Sequence, residues 1–361
     1  MKISLCMIVR DEERTLEKCL SSVADLVDQI VIVDTGSIDK TKEIAQKFTQ
    51  DIFDFKWIDD FSEARNFSFS KANMDYIMWL DADDVILPED REKLLKLKKS
   101  FDPLADAFSM NYNCDFDKYG NPTVSVRRIR IVKRSKKFKW KGAVHEDLIS
   151  ALSVKLIDTD IVITHCQIHK QTNRNLKIYE NRLLAGKKFS SQDCFHYARE
   201  LHHNKMYEKA VKFYLKFLKN NKSSEENKIF VCFRLADCFY HLGNTEKEMK
   251  YTFKSFIYDI PRPEACCRLG YHLLQNKKLN QAVYWYNQAI ACRVSSEWAI
   301  VNGASNTWLP HMQLGQCYFE LGMYKLSYEH NKKVLTYLPD DENVKKNMRM
   351  LEGLLDIQDK S

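Results

Sequence analysis

The sequence predicts an α/β domain with a mostly parallel sheet, followed by an all-α solenoid of helical repeats. Strand-like apolar runs alternate with helical stretches over about the first hundred residues, and from about residue 190 the chain is almost wholly helical and self-similar. Within the first region, the apolar run at residues 76–80 ends in three carboxylates within four residues. Strands that alternate with helices at this pace form right-handed βαβ units, whose parallel strands are buried on both faces.

Hydrophobic periodicity assigns the first elements of this domain in order. Residues 3–9 and 30–33 have the continuous apolar character of buried strands. Residues 12–20, 40–48 and 61–72 carry apolar side chains at helical spacing. These elements build the half of the sheet that lies before the acidic cluster.

Length and composition limit the class of protein. A chain of 361 residues with 45% hydrophobic residues is expected to form two domains with substantial cores. No stretch approaches the ~18–20 apolar residues that span a bilayer. The N-terminus enters a strand directly, without the basic and apolar regions of a signal peptide. A cytoplasmic location is therefore predicted, with peripheral membrane contact at most.

Cysteine usage and net charge exclude several kinds of site. Most of the eleven cysteines occupy apolar positions of predicted elements, and no Cys-x-x-Cys pair occurs, so reduced thiols without a zinc site are expected. The net charge of +7 is modest for this length and suits an anionic small-molecule substrate. The chain contains neither a Gly-x-Gly-x-x-Gly nor a Walker A motif.

The acidic cluster is the first candidate site. Asp81 and Asp83 follow a buried strand, and the carboxyl ends of parallel strands open onto the crevice where ligands bind. Clustered carboxylates repel one another unless a cation neutralises them. Mg²⁺ or Mn²⁺, with substrate phosphates completing the coordination shell, fits such a pair. The alternative is a solvated acidic turn before a helix.

Four segments together resemble the nucleotide-binding half of family 2 glycosyltransferases, which have the GT-A fold. They occur in the order and at the spacings usual in that family, and the resemblance covers residues 1–100. A single Asp-x-Asp is weak evidence, whereas four ordered motifs are strong. The segments are Ile3-Ser4-Leu5-Cys6-Met7-Ile8-Val9-Arg10-Asp11-Glu12-Glu13, Ile32-Val33-Asp34-Thr35-Gly36-Ser37, Glu63-Ala64-Arg65-Asn66 and Asp81-Ala82-Asp83.

The resemblance implies a nucleotide-sugar site built from named positions. Asp34 and Glu12 would bind the uridine or ribose, Arg65 would face the nucleotide, and Asp81 would contribute to the same site. Asp81 and Asp83 would hold the metal, and His165, at the end of a later strand, is a further metal candidate. The residues alone leave other roles open: helix caps or surface carboxylates for the acids and a surface ion pair for the arginine.

The second candidate site is His145-Glu146-Asp147, which follows the predicted sheet. An inverting glycosyltransferase needs a carboxylate base that takes the proton of the acceptor. Glu146 is the first choice for this base and Asp147 the second, because the family places an acidic pair of this kind on the acceptor side of the site. A histidine at a strand end, such as His165, is alternatively only hydrogen-bonded.

Basic residues are concentrated between residues 127 and 141, interleaved with Phe138 and Trp140. This composition alone is compatible with nucleic-acid binding. The segment also resembles the hairpin that leads into the acceptor side of family 2 glycosyltransferases, so no nucleic-acid partner is expected. Residues 124–132 are predicted to be an outer strand, with most of the lysines solvated.

The helical half resembles tetratricopeptide repeats. Small residues recur in the first helix of each unit, 38, 34 and 45 residues apart, which brackets the 34-residue period. The longest interval implies an insertion near residues 295–307. The small residues let paired helices approach closely. The residues in question are Ala198, Ala236, Gly270 and Gly315.

The sequence therefore predicts a GT-A domain at 1–171, a linking helix at 172–190, repeats at 191–345 and a C-terminal helix or tail at 346–361. By resemblance, the protein is an inverting, metal-assisted enzyme that moves a hexose or N-acetylhexosamine from a UDP-sugar. The domain pairing resembles glycocin S-glycosyltransferases, which modify peptides, and lipopolysaccharide-core glycosyltransferases. The repeats are expected to bind the peptide, protein or glycan acceptor; a homodimer through them is left open. The alternative function is a non-catalytic scaffold that senses nucleotide sugars and binds a partner.

Overall fold

The computed structural model describes residues 1–116, 122–166, 173–220, 223–292 and 303–358. The chain forms two compact units, Met1–Glu200 and Leu201–Ser361. The first unit thus includes the expected linking helix and the beginning of the expected repeats. Among the described helices, none has the length and apolar character required to cross a membrane. All eleven cysteines are free thiols.

The first unit is organised around an eight-stranded sheet with the order β3-β2-β1-β4-β7-β6-β10-β5. Strands β3, β2, β1 and β4 are parallel to one another, as is β10 to β6, whereas β7 is antiparallel to both neighbours. A second sheet pairs β8 with β9. The strands are β1 Ile3–Val9, β2 Gln29–Asp34, β3 Ile52–Asp54, β4 Tyr76–Trp79, β5 Asp84–Val85, β6 Ala107–Phe116, β7 Pro122–Lys133, β8 Lys139–Lys141, β9 Asp147–Ile149 and β10 Leu156–His165.

Helices lie between the strands of the first unit and make up the regular structure of the second. Short 3₁₀ turns occur at Ala24–Leu26, Arg134–Lys136, Ser255–Ile257 and Gly303–Asn306. The helices are α1 Leu16–Ser21, α2 Thr41–Gln46, α3 Phe61–Ser70, α4 Pro88–Lys99, α5 Arg174–Leu184, α6 Ser191–His203, α7 Tyr207–Leu218, α8 Glu225–His241, α9 Thr245–Lys254, α10 Pro263–Gln275, α11 Leu279–Ala291, α12 Trp308–Glu320, α13 Tyr324–Tyr337 and α14 Glu342–Gln358. The predicted α/β domain followed by helical repeats is confirmed.

Both faces of the central sheet are buried, as the continuous apolar runs predict. Ile3, Leu5 and Met7 of β1 join one core, in which α1 and α4 cover the sheet. Cys6 of the same strand joins the other core, together with Trp140 of β8. Successive side chains of a strand point to opposite faces, so a strand buried on both sides needs apolar residues at every position.

Strand β7 differs from its prediction. The sequence predicted an outer strand, but β7 lies inside the sheet between β4 and β6. Ile131 and Val132 are fully buried, and so is Arg130. The basic residues between 127 and 141 therefore lie in two environments. Arg130 is buried in the sheet, whereas several of the lysines that follow are exposed.

The repeat helices pack in the expected pairs, α8 with α9, α10 with α11, and α12 with α13. The small residues named above are buried or closely packed. Ala198 and Ala236 are fully buried. A Cβ at Gly270 would lie 2.8 Å from the ring of Tyr286, and one at Gly315 would lie 2.7 Å from Nδ2 of Asn331. The expected insertion near residues 295–307 falls largely outside the described residues.

The second repeat departs from the pattern with a buried carboxylate. Glu248 stands where a small residue is usual, and it is only 2% exposed. Nη1 of Arg268, on the first helix of the next repeat, donates to its Oε1 at 2.8 Å. Arg268 also donates to Asp237. The arginine thus compensates the buried charge of Glu248 and joins two successive repeats.

We expect Gly270→Ala to destabilise the repeats by about 1–3 kcal/mol, because the new methyl group would displace the buried Tyr286 ring. Urea unfolding of the full chain, followed by helical circular dichroism, measures this change. Gly353→Ala in α14 is the matched control: no atom lies within 4 Å of its added Cβ, so a gain of about 0.5–1 kcal/mol is expected. Equal effects of the two substitutions would contradict the close approach at Gly270.

Candidate active site

The acidic cluster forms a tight turn between β4 and β5. The backbone N–H of Asp84 donates to the carbonyl of Asp81 at 3.0 Å, and the N–H of Asp81 donates to Oδ2 of Asp84, also at 3.0 Å. Asp84 is fully buried, whereas Asp83 is only partly so. The turn therefore fixes the carboxylate of Asp84, and the negative charges of the cluster have to be offset by tertiary partners.

Asp83, Asp84 and His165 form a cluster suited to a metal ion. One potential ligand atom from each lies within 4.8 Å of the other two. Strand β10 pairs with β5 so that His165 stands beside Asp84, and the N–H of Cys166 donates to the carbonyl of Asp83 at 2.7 Å. The sequence predicted Asp81, Asp83 and His165 as metal residues. The structure brings Asp83 and His165 together, whereas Asp81 lies outside this cluster and pairs with Arg65. The structure adds Asp84 to the cluster, which the sequence reasoning did not select.

The histidine of this cluster carries a proton when no cation is bound. Burial by itself lowers the pKa of His165, but hydrogen bonds and negative charge from Asp83 and Asp84 outweigh burial and raise the pKa to about 10. Nδ1 lies 3.4 Å from an oxygen of each carboxylate and 2.9 Å from the hydroxyl of Tyr112. A bound cation would replace this proton, since only a neutral imidazole is a ligand.

Asp81 faces a different partner, the guanidinium of Arg65. Nη2 of Arg65 donates to Oδ1 of Asp81 at 2.7 Å, and its Nε donates to Oε1 of Glu146. The guanidinium carbon lies 4.9 Å from the ring centroids of both Trp79 and Trp140. Arg65 is thus a buried bridge between the acidic turn and the candidate base, and the surface pair with Glu63 or Asp60 does not form.

The charges of two arginines keep Asp81 ionised. Burial by itself raises the pKa of Asp81, but the positive charges of Arg65 and Arg130 outweigh burial and hold the pKa below its ordinary value. Asp81 is therefore a carboxylate at neutral pH. Its ion pair with Arg65 separates its role from that of Asp83.

Arg130 of β7 lies beneath the acidic turn and was missed by sequence reasoning. Its side chain is fully buried, with Nη1 3.0 Å from Oδ2 of Asp84 and the guanidinium carbon 3.9 Å from the ring centroid of Trp79. Nε and Nη2 are buried without a hydrogen-bond partner in the described part of the chain. The one available signal was its place between the apolar residues Ile129 and Ile131, which is unusual for a solvated arginine.

The expected nucleoside residues follow the neighbouring strands. Asp34 ends β2, is only 1% exposed, and accepts hydrogen bonds on Oδ1 from the backbone of Gly36 and Ser37 at 2.8 and 2.9 Å. Its Oδ2 is buried, and no described residue donates to it. Glu12 follows β1 and accepts from the hydroxyl of Thr15 at 2.7 Å. Because β2, β1 and β4 are adjacent and parallel, Asp34, Glu12 and Asp81 share one edge of the sheet.

A short loop between β8 and β9 presents Glu146. Gly142 and His145 both have positive φ, 111° and 53°, and a left-handed conformation costs a non-glycine residue about 1–2 kcal/mol. The loop is held from outside, because the carbonyl of Ala143 accepts from the N–H of Phe61 at 2.9 Å and that of Val144 from the hydroxyl of Tyr179 at 3.2 Å. The Glu146 side chain is 10% exposed.

Asp147, the second candidate for the base, is the first residue of β9. It lies opposite Lys141 in the small sheet and is exposed. Unlike Glu146, it makes no hydrogen bond or ion pair that fixes its carboxylate among the residues that the structure describes. The structure therefore separates the two neighbouring acids: one is held in the charged cluster and the other faces solvent.

Comparison with known proteins finds two matching family profiles and a number of solved structures with partial similarity. The sequence profile of glycosyl transferase family 2 matches residues 4–211, and that of the SusR N-terminal TPR domain matches residues 164–296. The crystal structure of glucosyl-3-phosphoglycerate synthase from Mycobacterium tuberculosis with Mn²⁺ and UDP-glucose is 13% identical, with a TM-score of 0.36 over 53% of this chain and 81% of that chain.

Two curated relatives cover different parts of the chain. The SPbeta prophage-derived glycosyltransferase SunS of Bacillus subtilis is 26% identical over 243 residues, which are 63% of this chain and 56% of that protein. A TPR repeat-containing protein of Synechococcus elongatus is 47% identical over 88 residues, 24% of this chain and 22% of that protein. Each match spans less than two thirds of the relative. Since the family profile matches more than half of this chain, the protein belongs to glycosyl transferase family 2.

Proposed function

We propose that this protein is an inverting glycosyltransferase that moves a hexose or N-acetylhexosamine from a UDP-sugar to a peptide, protein or surface-glycan acceptor. The observation that carries the proposal is the cluster of Asp83, Asp84 and His165, which lies at the same sheet edge as the buried carboxylate of Asp34. One sheet edge thus offers both a candidate cation site and a candidate nucleoside site.

The donor set fits the cation that a nucleotide-sugar enzyme of this kind uses. Carboxylate oxygens are the ligands preferred by Mg²⁺ and Mn²⁺, which usually keep positions for substrate phosphates. Asp83, Asp84 and His165 would hold the ion, which when bound neutralises charge on the diphosphate leaving group. Asp81 would act beside this set, oriented by Arg65.

The nucleoside would bind at Asp34. A buried acceptor without a donor costs about 1–3 kcal/mol, so the free Oδ2 of Asp34 is a place where an N–H or O–H of a ligand would be favourable. Uracil and ribose both carry such donors. Glu12 lies at the end of the neighbouring strand and would contact the same nucleoside. Arg65 would contribute through Asp81, because its guanidinium is already engaged by carboxylates.

Glu146 would be the catalytic base. It would take the proton from the acceptor hydroxyl or thiol while the acceptor oxygen or sulfur bonds to the anomeric carbon. The bond from that carbon to the diphosphate oxygen breaks on the opposite side, and its electron pair leaves with UDP, which inverts the configuration. The ion pair with Arg65 uses Oε1 and leaves Oε2 for the acceptor.

The repeats would bind the acceptor. Tyr240 of α8 and Tyr271 of α10 are 46% and 37% exposed, and their rings lie 6.3 Å apart. Exposed aromatic side chains on the first helices of successive repeats provide contact area at low entropic cost. The pair is therefore a contact surface for an extended acceptor, independent of donor binding.

Removing a metal ligand should abolish transfer without unfolding the protein. We expect Asp83→Ala to lower the transfer rate at least about 100-fold and to abolish Mn²⁺ binding, because a diphosphate-neutralising charge is lost. Transfer and Mn²⁺ titration calorimetry measure the two effects, with Asp160→Ala, whose side chain is 83% exposed, as the control. Full activity of Asp83→Ala, or of the wild type in excess chelator, would overturn the metal assignment.

Removing the base should slow the chemical step and spare donor binding. Glu146→Gln keeps the size of the side chain but cannot accept the proton, so transfer should fall about 10²–10⁴-fold while UDP binding is retained. Asp147→Asn is the matched comparison and should keep nearly full activity, because Asp147 is exposed. An active Glu146→Gln with an inactive Asp147→Asn would exchange the two roles.

Changing the repeat surface should affect the acceptor alone. We expect Tyr240→Ala to raise the acceptor KM at least about tenfold, with slow hydrolysis of the UDP-sugar unchanged. Tyr284→Ala is the control, since Tyr284 is 57% exposed but lies on α11, a second helix. An equal loss of donor hydrolysis in a well-folded Tyr240→Ala protein would show that the repeats help to build the donor site.

A further inference from the structure

A cluster of polar side chains outside the donor site holds the residue next to Glu146. Nε2 of His145 lies 2.7 Å from Oε1 of Glu200, a residue of α6. The His145 ring also stacks on that of His196, with centroids 4.7 Å apart and an angle of 26° between the planes. His196 and Glu200 are one helical turn apart on α6, so a single helix face supplies both contacts.

The charges of this cluster favour one arrangement. Burial by itself raises the pKa of Glu200, but the hydrogen bond and the charge of His145 outweigh burial and lower the pKa below its ordinary value. Glu200 is then a carboxylate whose Oε1 accepts a hydrogen bond from Nε2–H of His145. Burial, followed by nearby positive charge, holds the pKa of His196 well below its ordinary value, so a neutral ring faces His145.

The backbone of the loop makes this contact important for Glu146. The carbonyls of Ala143 and Val144 are already held by α3 and α5. His145 follows them in a left-handed conformation, which turns the chain and directs Glu146 toward Arg65. The side chain of His145 is thus the last external attachment before the candidate base.

We propose that His145 is a positioning residue for the reaction: clamped between Glu200 and His196, it fixes the carboxylate of Glu146 where the acceptor is deprotonated. This inference rests on the proposed role of Glu146 as the base. It assigns α6 a function in the chemical step, although no residue of α6 contacts Asp83, Asp84 or His165 among the described contacts. The ion pair with Arg65 then fixes the carboxylate of Glu146, and the contacts of His145 with Glu200 and His196 fix the backbone next to Glu146.

The experiment separates the clamp from the backbone conformation. His145→Gly accepts the left-handed conformation without strain but removes the imidazole. Glu200→Ala removes the acceptor of the clamp, whereas Glu200→Gln keeps an amide oxygen that can accept the same hydrogen bond. Glu208→Ala, an exposed carboxylate on α7, is the control. All variants are made in the full chain, alone and combined with Glu146→Gln.

We expect His145→Gly and Glu200→Ala to lower kcat about 100-fold with KM for the donor unchanged, since a displacement near 1 Å can cost that much. Glu200→Gln should recover most of the rate. In the Glu146→Gln background His145→Gly should cost nothing further, because it acts through Glu146. A further loss there, or an unchanged kcat in His145→Gly alone, would overturn the positioning role.

A second measurement does not depend on transfer. Hydrogen exchange followed by mass spectrometry should show faster exchange in the peptide covering residues 142–149 of Glu200→Ala, but not of Glu200→Gln. If the loop exchanges at the wild-type rate in both, the clamp is wrong whatever the activity. If the loop exchanges faster as expected but Glu146→Gln remains active, the contacts of His145 do hold the loop, and it is the assignment of Glu146 as the base that is wrong.

Discussion

The bridge formed by Arg65 is the interaction on which the candidate site depends. It joins Asp81, in the turn that follows β4 of the main sheet, to Glu146, which stands in the loop between β8 and β9. Two carboxylates brought this close in a largely buried setting would repel strongly without a cation between them. A planar guanidinium can donate to both at once and pack against two indole rings, which a lysine could not do as well.

A second buried arginine offsets a carboxylate of the same turn. Arg130 pairs with Asp84 in the interior, so two arginines are set against the four carboxylates of Asp81, Asp83, Asp84 and Glu146. With His165 neutral, the balance is two negative charges, which a divalent cation would match. A buried ion pair contributes little to stability by itself, and losing one partner is far more costly than exchanging both for apolar residues. The arrangement therefore fixes geometry and charge.

Individual residues show which structural features can be predicted from a local sequence pattern. The positions of Gly270 and Gly315 identified two helix contacts of the repeats, because the spacing of small residues directly reflects the close approach of helices. The place of Asp34 at the end of a strand followed from the same kind of local reasoning. Arg130 did not: a basic segment was expected to be solvated, whereas its strand lies inside the sheet.

The sequence by itself determined the two-part architecture, the strand that ends in Asp81 and the candidate acids, since hydrophobic period and motif spacing are properties of neighbouring residues. Only the tertiary structure decided that His165 lies beside Asp84, that Arg65 joins Asp81 to Glu146, and that His145 meets Glu200. These partners are 81, 16, 81 and 55 residues apart. Their pairing depends on strand order and register, which arise from packing of the whole sheet and are not encoded in any local pattern.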